Sequence, residues 1–199
     1  ALATLDLSGN EFKDVRTTKS LASAMKGCAS LSFVNLSKCK LGGNVDLLVA
    51  ILSGCIGLKS LVLDYNGITT KEGVAAVAKF LSNNNTLTLF SMHKNAMGDE
   101  NAKALGGALQ KNTKLRELCL SGTKLNLPSI IASKDVTKNL THLDLSSKWW
   151  SDESHFSNEI RQFGRSSQNK LKIPGVKVIA KFLKSNPALV ELNLACTGI

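Results

Sequence analysis

The chain has 199 residues, 43% of them hydrophobic, with only 3 prolines, so it can bury a substantial core and is not expected to be disordered. It contains no apolar run long enough to cross a bilayer and no secretory signal. The formal net charge of +10 is carried mostly by lysine, 21 residues against 4 arginines, which suggests acidic partners and argues against specific nucleic-acid readout.

Seven segments share one pattern. In chain order they are LATLDLSGNEF, LSFVNLSKCKL, LKSLVLDYNGI, LTLFSMHKNAM, LRELCLSGTKL, LTHLDLSSKWW and LVELNLACTGI. All fit LxxLxLxxNxL with apolar substitutions. They begin at Leu2, Leu31, Leu58, Leu87, Leu115, Leu140 and Leu189. This is the signature of a leucine-rich repeat. In the first segment Leu5 and Leu7 point to one side of a short strand, and Thr4, Asp6 and Ser8 to the other. The position held by Asn10, Cys39, Asn66, Asn95, Thr123 and Thr197 lies where the chain leaves the strand. A small side chain there can hydrogen-bond the neighbouring turn. Lys148 occupies that place in the sixth segment and predicts an irregular turn.

The second half of each repeat reads as a helix. Val74, Val77 and Leu81 recur at helical spacing, as do Ala102, Leu105 and Leu109. Lys79, Lys103, Lys111, Lys177, Lys181 and Lys184 belong to the outer helical surface. Asn84, Asn112 and Asn186 suit the helix exits, where asparagine tolerates left-handed backbone. Cys28 and Cys55 take the same place. The five cysteines include no CxxC pair, and free thiols in a cytoplasmic protein are expected.

The expected fold is α/β: a curved leucine-rich-repeat solenoid, a horseshoe segment with parallel strands on the concave face and helices on the convex face. It is read as a single domain over 1–199 with about seven repeats starting near 2, 31, 58, 87, 115, 140 and 189. The fifth repeat leaves little room for a helix. The sixth is long, and its excess falls at about 149–172, a polar insertion expected to leave the solenoid. No polar cap is visible at either end, which suggests a fragment of a longer protein. End-to-end self-association through Leu2–Leu7 and Leu189–Leu194 is then expected.

A repeat of roughly 28 residues with a full helix resembles the ribonuclease-inhibitor-like subfamily. That group includes the Ran GTPase-activating proteins, the repeats of NOD-like receptors, tropomodulin and the CARMIL regulators of actin capping protein. The stretch NAMGDENAKALGGALQKNTKLREL, Asn95 to Leu118, is most similar to a CARMIL repeat. LATLDLSGNEF, a long linker and LSFVNLSKCKL are similar in the same way. The CARMIL resemblance implies an actin-cytoskeletal scaffold. The Ran-activator resemblance would imply an arginine- and asparagine-bearing loop, and Arg16 is the only arginine in the first three repeats.

Stacked strands place equivalent residues side by side about 4.8 Å apart. One column holds Asp64, His93 and Ser121, the residue types of a hydrolytic triad. A shallow sheet offers no oxyanion hole or pocket, so an enzyme is not expected. A second column sets Glu117, His142 and Glu191 in order, with Asp144 and Cys119 nearby. Strand pitch does not make a closed ligand shell, and no metal or cofactor is expected. The favoured function is a protein-binding scaffold. Its partner surface is expected on the second to fourth repeats, at Phe33, Lys38, Val62, Tyr65, Leu89, His93 and Lys94. There exposed Phe33, Val62 and Leu89 would be rimmed by lysines around a tyrosine, and the partner would be acidic and partly apolar. The alternatives are lysine-driven binding of an anionic membrane or nucleic acid, and a GTPase-activator-like regulator.

Overall fold

A computed structural model describes residues 1–125, 130, 139–146 and 173–195. The expected irregular turn at Lys148, the short fifth repeat, the insertion at 149–172 and the Cys196–Ile199 turn lie outside them.

Seven three-residue strands form one parallel sheet in sequential order. They are β1 (Thr4–Asp6), β2 (Phe33–Asn35), β3 (Ser60–Val62), β4 (Leu89–Ser91), β5 (Glu117–Cys119), β6 (His142–Asp144) and β7 (Glu191–Asn193). Helices alternate with them: α1 (Val15–Gly27), α2 (Val45–Gly54), α3 (Lys71–Asn83), α4 (Ala102–Lys111) and, before β7, α5 (Ile173–Ser185). A parallel sheet requires such crossovers, because each strand must return to the same end before the next begins. The helix starts follow from local chemistry. Asp14 accepts from the N–H groups of Arg16 and Thr17, Asn44 from Leu47, and Thr70 from Gly73.

The alternation within each strand sorts the side chains. Val34, Leu61, Phe90, Leu118 and Leu143 form one register row and are buried. Leu36, Leu63, Met92, Leu120 and Leu145 bury beside them, against Leu47, Leu48, Ile51, Val74, Val77, Leu81, Leu105 and Leu109 from the helices. The six lysines assigned to the outer helical surface are all exposed. Turns of successive repeats meet so closely that a Cβ on Gly42 would collide with the carbonyl oxygen of Gly67.

Asparagine joins the repeats at two places. At the strand exits, the Asn66 side-chain oxygen accepts from the N–H groups of Cys39 and Leu41, and its amide donates to Leu36 O. Asn95 repeats the arrangement one step on, accepting from Asn66 and Ile68 and donating to Leu63 O. At the helix exits, Asn84 accepts from Thr86 and Leu87 and donates to Ile56 O; Asn112 accepts from Lys114 and Leu115 and donates to Leu81 O and Asn84 O. The left-handed backbone expected there is absent. Asn84 and Asn112 are extended, with φ of −86° and −82°. Asparagine serves these exits through its side-chain amide, which pairs orphaned backbone groups of two repeats at once.

Left-handed backbone occurs instead at the strand exits. Gly9, Lys38, Tyr65, Lys94 and Gly122, equivalent in the repeat, all have φ between 55° and 75°. The N–H of each still donates to the following repeat, at Ser37 O, Asp64 O, His93 O, Ser121 O and Ser146 O. Tyr65 and Lys94 thus stand immediately before Asn66 and Asn95, whose amides bridge to the preceding repeat.

Candidate partner-binding face

Residues not used by the core fall into two columns on the other face of the sheet. The first pairs Thr4, Phe33, Ser60, Leu89, Glu117, His142 and Glu191. The second pairs Asp6, Asn35, Val62, Ser91, Cys119, Asp144 and Asn193.

The second column has a backbone task. Asp6, Asn35, Asp144 and Asn193 each accept the N–H two residues ahead. Val62 and Ser91 do not take this part. Asp64 takes over for the fourth repeat: its carboxyl accepts the His93 N–H at 2.8 Å and the Ser91 hydroxyl at 2.6 Å. Burial pushes the Asp64 carboxyl up to about 7, against the lowering effect of those two hydrogen bonds. Burial also raises Asp144, opposed by its hydrogen bonds from Ser146 and reinforced by Glu191.

The strand exits carry a contiguous polar ladder. The Lys38 ammonium lies 6.0 Å from the centre of the Tyr65 ring, within cation–π range. Tyr65 meets His93 edge to face at 5.2 Å between ring centres. His93 Nδ1 is 2.6 Å from the Ser121 hydroxyl. Burial, followed by the Asp64 charge, raises the Tyr65 hydroxyl to about 12, so it remains a neutral donor at physiological pH. The Asp–His–Ser row is therefore hydrogen-bonded throughout. Asp64 holds the histidine by its backbone N–H, and the ring turns to the serine.

Of the seven residues expected to bind a partner, the structure brings Lys38, Tyr65, His93 and Lys94 to this edge, and all four are partly exposed. Phe33 is half-buried. Val62 and Leu89 correct the expectation: they are only 2% and 8% exposed. Strands about 4.8 Å apart leave little room for water between neighbouring side chains. Val62 stands between Asn35 and Ser91, and Leu89 between Ser60 and Glu117. The exposed apolar patch is thereby reduced to Phe33. The buried role of Asp64 and the strained backbone at the three cationic and aromatic exits were not read from the sequence. Occupation of one repeat position by two glycines was the available signal for the latter.

Burial raises three of the thiols: Cys39 to about 11, Cys55 to about 12, and Cys119 well above the usual range. Cys28 is exposed, and the four described cysteines are all free. Among the described residues no three His, Cys, Asp or Glu side chains converge in a manner that could hold a metal ion. No described helix is long and apolar enough to cross a membrane.

No family model matches the chain. Among solved structures, actin-binding site 2 of leiomodin-1 aligns over 59% of this chain and 69% of that one, with 22% identity and a TM-score of 0.49. Among curated proteins, the chain is 27% identical over 197 residues to Protein CARMIL of Dictyostelium discoideum, a match that covers 96% of this chain and 18% of that protein. The chain thus spans less than a fifth of the relative that it resembles along nearly its whole length.

Proposed function

We propose that this chain is a segment of a ribonuclease-inhibitor-like leucine-rich-repeat solenoid, of the CARMIL kind, that binds another protein during regulation of the actin cytoskeleton. In this reading the solenoid curves with its strands on the concave side, works in the cytoplasm, and performs no catalysis. The observation that carries it is the unbroken register of seven parallel strands, which lines up non-core side chains into long columns. Such a rigid, side-chain-rich face suits a protein surface better than a small molecule. The similarity to Protein CARMIL over 96% of the chain supports the cytoskeletal setting. The partner surface is acidic, because the ladder from Lys38 to Lys94 is cationic and aromatic, and the partner touches Phe33 at its apolar margin.

The test is a binding comparison against purified actin and actin capping protein. The double variant Tyr65→Ala with Lys94→Glu should lose binding at least tenfold. Lys103→Glu with Lys181→Glu, on the helical surface, should change it less than twofold. Loss in the second variant alone would move the working surface to the helices. A steep loss of affinity with salt and no response to Tyr65→Ala would favour charge-driven binding to an anionic membrane.

A further inference from the structure

Among the described residues, Lys94 Nζ is the one buried side-chain nitrogen or oxygen without a hydrogen-bond partner. Burial lowers the pKa of this ammonium. A desolvated ammonium without a partner is unfavourable, and a neutral amine in the same place would still leave donors unused. The backbone adds a second unfavourable term, since Lys94 holds a left-handed φ of 57° that disfavours any residue with a Cβ. The fold does not call for lysine here. Gly9 and Gly122 make the same turn in other repeats, with the same hydrogen bond to the next strand exit.

The surroundings are arranged for an anion. Among the described residues, the left-handed ones other than glycine are four lysines, Lys38, Lys40, Lys94 and Lys124, and Tyr65. At the first turn the exposed acid Glu11 is engaged by Lys40 and Lys13, and in the connection that leaves Lys94 the exposed acids are Asp99 and Glu100, whose carboxylate lies over Gly98. Asp64, beside Tyr65, is buried and occupied by Ser91 and His93.

We infer that Lys94 is the anchoring cation of this face, and that its ammonium receives a side-chain carboxylate from an acidic protein segment lying across the exits of β2 to β4. The inference rests on the protein-binding reading above and names the chemistry of its contact. A bound carboxylate supplies the missing acceptor, and the flexible four-carbon stem lets the ammonium meet it by a change of rotamer. Lys38 lies two repeats away, about 10 Å at sheet spacing, so the segment carries two acidic side chains that far apart with Tyr65 between them.

The probe is a capped ten-residue peptide with four glutamates and a central leucine, compared with its glutamine counterpart and with inorganic phosphate. Affinity is followed by fluorescence anisotropy of the full chain, with phosphate as competitor, and stability by thermal melting without ligand. Lys94→Met should weaken the glutamate peptide at least tenfold while leaving the melting temperature unchanged or higher. Lys103→Met should alter binding less than twofold. A lower melting temperature for Lys94→Met makes Lys94 structural and overturns the inference, as does unchanged affinity in that variant. Equal binding of the glutamine peptide, or displacement by millimolar phosphate, overturns the carboxylate assignment. A wild-type chain that binds neither peptide overturns the acidic-partner reading itself.

Discussion

Asn10 and Asn66 occupy the same place in their repeats, yet they do different work. The Asn10 side chain is exposed and bonds its own turn, donating to Leu7 O and Ser8 O. Asn66 is buried and ties its turn to Cys39, Leu41 and Leu36 of the preceding repeat. The surrounding leucines follow suit. Leu5 and Leu7 are only partly buried, whereas Leu61 and Leu63 are fully buried. The first and third repeats are thus near-identical in pattern and unequal in burial.

The largest expected contrast is in the core row. Phe90→Ala should cost about 3–5 kcal/mol, because Phe90 is fully buried. Leu5→Ala, in the same register row at β1, should cost about half as much or less, since Leu5 already meets water. Chemical denaturation of the two variants measures the difference, and equal losses would break the comparison.

The acidic residues give the next contrast, and its sign differs between the repeats. Asp64 is raised from 3.8 to about 7, so the unfolded chain ionises first. Its burial therefore costs nothing below about pH 4 and progressively more up to about pH 7, on the order of 4 kcal/mol at most. Asp6 is lowered: burial works to raise it, but hydrogen bonds from Ser8 and Asn35 prevail. Its contribution is present above the unfolded pKa and is lost as pH falls below that value. Asp64→Asn should accordingly stabilise the protein at pH 7 and flatten the melting profile between pH 4 and pH 7. Asp6→Asn should leave that window almost unchanged. A wild-type profile that rises from pH 4 to pH 7 would contradict the assignment for Asp64.

A smaller contrast is expected at the asparagines themselves. Asn66→Ala leaves the buried N–H groups of Cys39 and Leu41 and the carbonyl of Leu36 without these partners, and should cost about 2–3 kcal/mol. Asn10→Ala exposes its turn to water that already reaches it, and should cost less than about 1 kcal/mol. Hydrogen exchange at the Cys39 and Leu41 amides should accelerate only in the first variant. The smallest effect is at Glu11, whose exposed ion pairs with Lys40 and Lys13 hold its carboxyl below the ordinary range. Glu11→Gln should produce no measurable change in melting temperature at physiological salt.

Much of the fold was legible because a repeated apolar pattern encodes strand register directly. Setting Leu2, Leu31, Leu58, Leu87, Leu115, Leu140 and Leu189 in phase already aligns Phe33 with Ser60 and Leu89, and the strand pairs follow that alignment. The candidate face was legible in membership and less so in exposure. Lys38, Tyr65 and His93 were named together, but their cation–π and edge-to-face contacts depend on side-chain directions that the left-handed backbone of Lys38 and Tyr65 sets. Val62 and Leu89 were misjudged because alternation says which way a side chain points, not what its neighbours cover.

What the sequence alone determined is therefore the period, the strand–helix alternation and the split between core and outward columns, since these depend on apolar spacing within each repeat. Only the tertiary structure decided the extended exits at Asn84 and Asn112, the left-handed Lys38, Tyr65 and Lys94, the burial of Asp64 and the unpaired Lys94 ammonium. The physical reason is common to all of them. Each is settled by hydrogen bonds and packing between residues about 28 positions apart, where one repeat meets the next, and a single repeat read along its own length does not contain its neighbour.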